Sequence, residues 1–148
     1  MATQAVKRRR LAHLDAQLTE AITAASPQAQ RAIALEALGH IATLADWPEG
    51  TRQAVDAANR NEFSATGRTW LADAADRTDD LRLAAEDSDN KGAADHYWRI
   101  TCAYSAARWV LDDDPSAAAQ DAVYHAAMGG DRHQLFSVVR ARLNLAPA

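Results

Sequence analysis

The stretch "DHYWRITCAYSAARWVLDDDPS", residues 95–116, decides the fold. Turned at about 100° per residue, it places Tyr97, Ile100, Tyr104 and Leu111 on one side of a helix, with Ala93 just upstream. Trp98, Cys102 and Trp109 fall on nearly the opposite side, and only Asp95 and Arg99, one turn apart and free to pair, form a clearly polar strip. A helix that is apolar almost all round is wrapped by its neighbours. Residues 93–112 therefore read as the central, buried member of a bundle, with aromatic rings as core and their hydroxyl and N–H groups on backbone partners. The stretch ends on "DDDPS", where Asp114 caps and Pro115 leads the next helix at a position whose missing N–H costs nothing.

The same punctuation recurs on both sides. A first helix is expected over about 3–25, with Leu11, Leu14, Leu18, Ile22 and Ala25 in one stripe. Ser26 and Pro27 open a second, which buries Ile33, Ala37, Leu38, Ile41, Leu44 and Ala45 and stops before Pro48. A short helix follows Thr51. Ser64 caps a fourth with Trp70, Leu71, Ala74, Thr78 and Leu81 inward, and "EDSDNKG" breaks the chain at 86–92. The pair Gly129–Gly130 ends the sixth helix through a left-handed residue, and Asp131 with Gln134 opens a last one bearing Leu135, Phe136, Val139 and Leu143. Alternating strand patterns and hairpin turns are missing. The expectation is a single all-α domain over 1–148, a compact bundle of about seven helices with a basic segment at 1–10 and a frayed tail at 144–148. Sliding the chain by 68 residues sets Arg31 on Arg99, Asp46 on Asp114 and Ala54–Val55 on Ala122–Val123, an echo compatible with a degenerate duplication of a three-helix unit.

Composition narrows the function. With 48% apolar and 24% charged residues the chain matches ordinary globular proteins, and one cysteine precludes an internal disulfide. No apolar run is long enough to span a membrane, and "MATQAVKRRRLAHLDAQL" has no apolar region of the secretory kind, so the expected location is the cytoplasm. Net charge is −4 but unevenly spread: residues 73–95 hold eight acids (Asp73, Asp76, Asp79, Asp80, Glu86, Asp87, Asp89, Asp95) against Arg77, Arg82 and Lys91. Such a flank attracts a basic partner. Walker A, GxSxG, GxGxxG, HExxH and CxxC patterns are absent, and Cys102 on an apolar face reads as an inert thiol, so neither catalytic residues nor a cofactor are expected.

Four sets of candidate residues follow. The acidic flank, Asp73, Asp76, Asp79, Asp80, Glu86 and Asp87, is the expected partner-binding surface, with Trp47 and Phe63 as loop-borne anchors. A small-ligand or enzymatic pocket lined by His96, Tyr97, Tyr104 and Arg108 is the alternative, since a permanent charge among aromatics needs an anion, a carbonyl or solvent. A basic N-terminus, Lys7, Arg8, Arg9 and Arg10, could meet phosphates, although no helix carries a basic reading face and nucleic acid is not the expected partner. Asp121 and His125, one turn apart, and His133 beyond the glycine pair make a thin metal candidate. An exposed Ala-rich face would also suit a homodimer.

"TRQAVDAAN" at 51–59, followed by an Ala-rich helical half ending in "DAVYHAAMGG" at 121–130, resembles a family of small all-helical immunity proteins that accompany bacterial polymorphic toxins. Arg52, Ala54, Val55, Ala57 and Ala58 match that family's first run, and His125, Ala126 and Ala127 its second, while "RNEFSATG" at 60–67 departs from the Trp and Gly-Glu expected there. The resemblance implies a cofactor-free cytoplasmic protein that binds and blocks a partner, and it brings no catalytic residues.

Overall fold

The computed structural model describes residues 10–146. Among these, residues 10–14 are helical, and seven helices follow: α1 Ala16–Ala24, α2 Pro27–Leu44, α3 Thr51–Asn59, α4 Ala65–Asp87, α5 Lys91–Val110, α6 Pro115–Gly129 and α7 Arg132–Arg142. The described residues form no strand. The chain is an all-α bundle with one helical segment more than expected, because the first predicted helix is broken at Asp15. That residue is extended (φ −159°) and its carboxylate accepts the Leu18 N–H at 3.0 Å. A short acceptor side chain competes with the helical backbone and wins as a cap.

Ser26, Ser64, Asp114 and Asp131 cap as anticipated, accepting from Ala29, Gly67, Ser116 and Gln134, and Asn90 does the same for α5 through Ala93. The C-terminal ends differ from expectation. Gly130 is extended (φ −117°, ψ −158°) rather than left-handed. Left-handed closure is instead made by Asp46, Asn61, Asp89 and Asn144 after α2, α3, α4 and α7. In each case the next N–H reaches back to the third-last helical carbonyl: Trp47 to Ala42, Glu62 to Ala57, Asn90 to Ala85 and Leu145 to Arg140. The glycine pair serves close approach instead. A Cβ on Gly129 would lie 2.6 Å from Cys102 Cβ, and one on Gly130 would lie 2.7 Å from His40 Nε2.

Helix α5 is the hub, packed on α2, α3, α4 and α6, while α2 and α6 close the other side of the core. The seam is alanine: Ala37 and Ala42 of α2, Ala103, Ala106 and Ala107 of α5, and Ala118, Ala119, Ala122 and Ala126 of α6 are all inaccessible to solvent. Small side chains let the helix axes approach, and Leu11, Leu18, Ile22, Ile33, Leu38, Ile41, Val110, Val123 and Leu135 fill the remaining volume. Burial of α5 is concentrated in its C-terminal half, with Ala94 the one buried residue before Thr101. Tyr97, Trp98 and Ile100 are half-exposed, and Asp95 pairs with Lys91 (2.8 Å) rather than with Arg99. Leu44, Trp70 and Leu81, expected inside, are 49%, 41% and 50% exposed.

The 68-residue echo survives in element order, since the shift brings α2, α3 and the start of α4 onto α5, α6 and the start of α7 within a few residues. Packing does not repeat: α5 lies along α6, whereas α2 barely touches α3. The tail is not frayed as far as it is described. Leu145 packs on the core and the Ala146 carbonyl accepts from Arg140 at 3.1 Å; residues 147 and 148 lie outside the described residues.

Candidate functional site

Helix α4 is the longest in the chain and leans on α5 almost alone. Its inner arc is Leu71, Ala74, Ala75, Thr78 and Ala85. The opposite arc faces water. Asp73, Asp76, Asp80 and Asp87 are all exposed and fall within about a sixth of the helical circumference, with Ala84 at its edge. Arg77 is the sole base on that arc, and three large apolar side chains flank it: Trp70 and Leu81 on one shoulder, Leu83 (45% exposed) on the other.

The six acids singled out by the sequence thus divide into two groups. Asp79 and Glu86 turn toward Arg82, which donates to them at 2.7 and 2.8 Å, and the guanidinium sits 5.2 Å above the Trp98 ring. The hydrogen bond to Asp79, outweighing slight desolvation, holds Arg82 above its ordinary value. These two carboxylates are paired within α4, and the Arg82 they hold crosses to α5 over Trp98. The other four project away from the fold.

The four residues of the alternative pocket do not converge. His96 is exposed and lies 5.6 Å from the half-buried Tyr97 ring. Tyr104 meets Trp70 edge-on at 6.1 Å, and burial, reinforced by Glu49 and opposed by Arg77, raises its hydroxyl above the ordinary value. Arg108 lies over its neighbour Trp109 (5.0 Å) and lines a groove of about 460 Å³ together with Arg68, Asp112, Asp113, Asp114 and the buried Asp121. None of His96, Tyr97 and Tyr104 lines that groove.

The acidic "DDD" run is structural in large part. Asp112 accepts the Asp114 N–H at 2.8 Å and Asp114 accepts that of Ser116. Arg31 donates to the carbonyls of Asp112 and Asp113, and Arg68 donates to that of Leu111 at 3.0 Å, so two guanidiniums close the C-terminal end of α5. Burial lowers Arg31, and the three aspartates oppose that shift.

Asp121, His125 and His133 form no metal-holding group among the described residues. Asp121 is buried beside the groove, His125 meets Tyr124 edge-on at 5.2 Å, and His133 is exposed on α7. Of the basic N-terminal set, Lys7, Arg8 and Arg9 lie outside the described residues, and Arg10 stands 5.8 Å over the Tyr124 ring. Trp47 and Phe63 are half-buried staples rather than free anchors, covered by Arg52 at 4.5 Å and Arg31 at 4.0 Å. Burial pushes the Cys102 thiol up to about 12, which leaves it protonated and unreactive. No helix of the described residues is long and apolar enough to cross a membrane.

Two polar contacts escaped the sequence reading. Arg140, 7% exposed, pairs with Asp15 at 2.7 Å and also donates to Gln17 Oε1. His40 Nε2 accepts the Asp131 N–H at 3.0 Å, the bond that the expected reciprocal cap from Gln134 would have made. Neither has a motif; both join residues more than ninety apart in the chain. Comparison of the chain with protein families, with curated proteins and with solved structures finds no match.

Proposed function

We propose that this protein is a non-enzymatic binding module that captures a basic protein partner on the outer face of α4, in the manner of an immunity-type protein that occludes its target. The observation that carries this reading is the division of the acidic residues: four exposed carboxylates share one face with Trp70, Leu81 and Leu83, on a helix whose main packing neighbour is α5. Charge that forms no ion pair among the described residues steers a basic surface inward, and the apolar shoulders supply the desolvated contacts that hold it. The resemblance to immunity proteins agrees with this reading, as does the absence of a catalytic motif from the sequence.

A photo-crosslinking residue at the exposed Ala84, at the edge of the arc, tests the proposal in lysate of the native host, with the same residue at Glu20 on α1 as control. A basic protein should crosslink through position 84 alone. The Asp73→Lys/Asp76→Lys/Asp80→Lys variant should slow its capture by about tenfold or more at low salt. An adduct insensitive to the reversal, or formed equally from position 20, would overturn the proposal.

A further inference from the structure

A cavity of about 380 Å³ opens between α3 and the N-terminal half of α4, beside the acidic arc. It is within the range of small-ligand pockets, about 300–1,000 Å³. Its floor is apolar and buried: Ala54, Leu71 and Leu111. Its rim carries the exposed carboxylates of Glu49 and Glu62, and Trp70 forms one wall.

Two features point to what enters. The first is Gly67, in the first turn of α4 and on the cavity wall. Glycine is a poor helix residue, and nothing local requires it: its φ is not positive, and a Cβ there would make ordinary contacts, 3.4 Å to Leu111 Cδ1 and 3.7 Å to Ser64 Cβ. The missing side chain widens the cavity. The second is the treatment of tryptophan across the molecule. Trp47, Trp98 and Trp109 each lie under a guanidinium, of Arg52, Arg82 and Arg108 at 4.5, 5.2 and 5.0 Å. Among the described residues, no guanidinium of this chain covers Trp70.

We infer that the cavity between α3 and α4 receives an arginine side chain of the basic partner, with its aliphatic stem on Ala54, Leu71 and Leu111 and its guanidinium against Trp70 and the carboxylates of Glu49 and Glu62. This rests on the reading of α4 as a docking face for a basic protein, and it names where that protein is anchored. Arginine suits the site because a planar, weakly hydrated guanidinium stacks on a ring while its N–H groups reach carboxylates. Glu62 already holds Arg60 at 3.2 Å, but both side chains are about 60% exposed, so that pair is readily exchanged.

The probe is butylguanidinium, with uncharged butylurea as control, titrated into the whole protein and followed by ¹H–¹⁵N spectra. Butylguanidinium should give saturable shifts at the Gly67 amide and the Trp70 indole N–H, and butylurea should not. Glu49→Gln/Glu62→Gln should weaken binding by about fivefold. Gly67→Leu should abolish it, and Gly67→Ala, which fits without a clash, should weaken it in a protein of unchanged helix content. No saturable shift at these two groups, or equal shifts from both compounds, overturns the inference. An octalysine peptide read against the Asp73→Lys/Asp76→Lys/Asp80→Lys variant separates the two levels. Loss of peptide binding in that variant, with no guanidinium response, removes the cavity and keeps the docking face. A guanidinium response with peptide binding untouched by the reversal removes the docking face and leaves an arginine site.

Discussion

Replacing Arg140 by Met should be among the most damaging single changes in this protein. Its guanidinium is buried, bonded to Asp15 at 2.7 Å, to Gln17 at 3.0 Å and to the Ala146 carbonyl at 3.1 Å, and so ties the start of α1 to the end of the chain. Methionine keeps most of the volume but leaves the Asp15 carboxylate, which is 13% exposed, without its counter-charge. Breaking one side of such a pair costs about 3 kcal/mol or more. For a chain of this length that lowers Tm by about 9 °C. Asp15→Asn should cost about as much for the converse reason, while retaining an oxygen for the Leu18 cap. The double variant should cost about 3–4 kcal/mol rather than the sum, a coupling of about 2 kcal/mol or more, because the second change removes a charge already unpaired. Burial pushes Asp15 up, but the Leu18 N–H and Arg140 outweigh it and hold the carboxyl below its ordinary value of 3.8. Its contribution is therefore complete above that value and lost as pH falls through the folded one, so wild type and Asp15→Asn should converge in strong acid. Urea unfolding followed by circular dichroism at neutral pH and near pH 3 measures all of this. Single changes costing less than about 1 kcal/mol, or additive in the double variant, would refute the assignment.

Two further outcomes are expected. Gly129→Ala should destabilise by about 1–2 kcal/mol despite the better helix propensity of alanine, because its Cβ would lie 2.6 Å from Cys102 Cβ and 3.0 Å from Ile41 Cδ1; Cys102→Ala should not rescue it in thermal melts, since alanine retains that Cβ. His40 accepts a backbone N–H at Nε2 and is therefore neutral, and burial lowers it against the opposing pull of Asp131 and Glu36. By NMR it should titrate below 6.5, and its stabilisation should be full above that pH and fade as pH drops through the folded value, an acid-side loss missing from His40→Gln.

The architecture was legible because its signals are local. Each of Ser26, Ser64, Asp114 and Asp131 stands next to the backbone it caps, and spacing alone chose Leu11, Leu18, Ile22, Ile33 and Ile41 for the core. The helix ends were misread because Asp46, Asn61, Asp89 and Asn144 look like loop polarity, whereas they take the left-handed conformation that asparagine and aspartate tolerate. Trp70 and Leu81 were placed inside because a wheel gives a direction and not the width of the buried arc. That width depends on how closely helices surround α4, and only α5 packs along it extensively. The six acids lie close together in sequence, but Arg82, one turn from both Asp79 and Glu86, pairs with those two and leaves the other four on a separate arc. Arg140 with Asp15 and His40 with Asp131 were invisible, since chain distance hides a long-range pair.

The one-sided attachment of α4 also sets its place in the hierarchy of local stability. A helix held by one neighbour opens at a lower free energy than the α2–α5–α6 seam, so its amides exchange with solvent through partial opening rather than through global unfolding. Anything gripping its outer arc must first hold it shut. Part of the free energy of association is then spent on quieting a segment that breathes, and slowed exchange along 65–87 becomes a direct readout of occupancy.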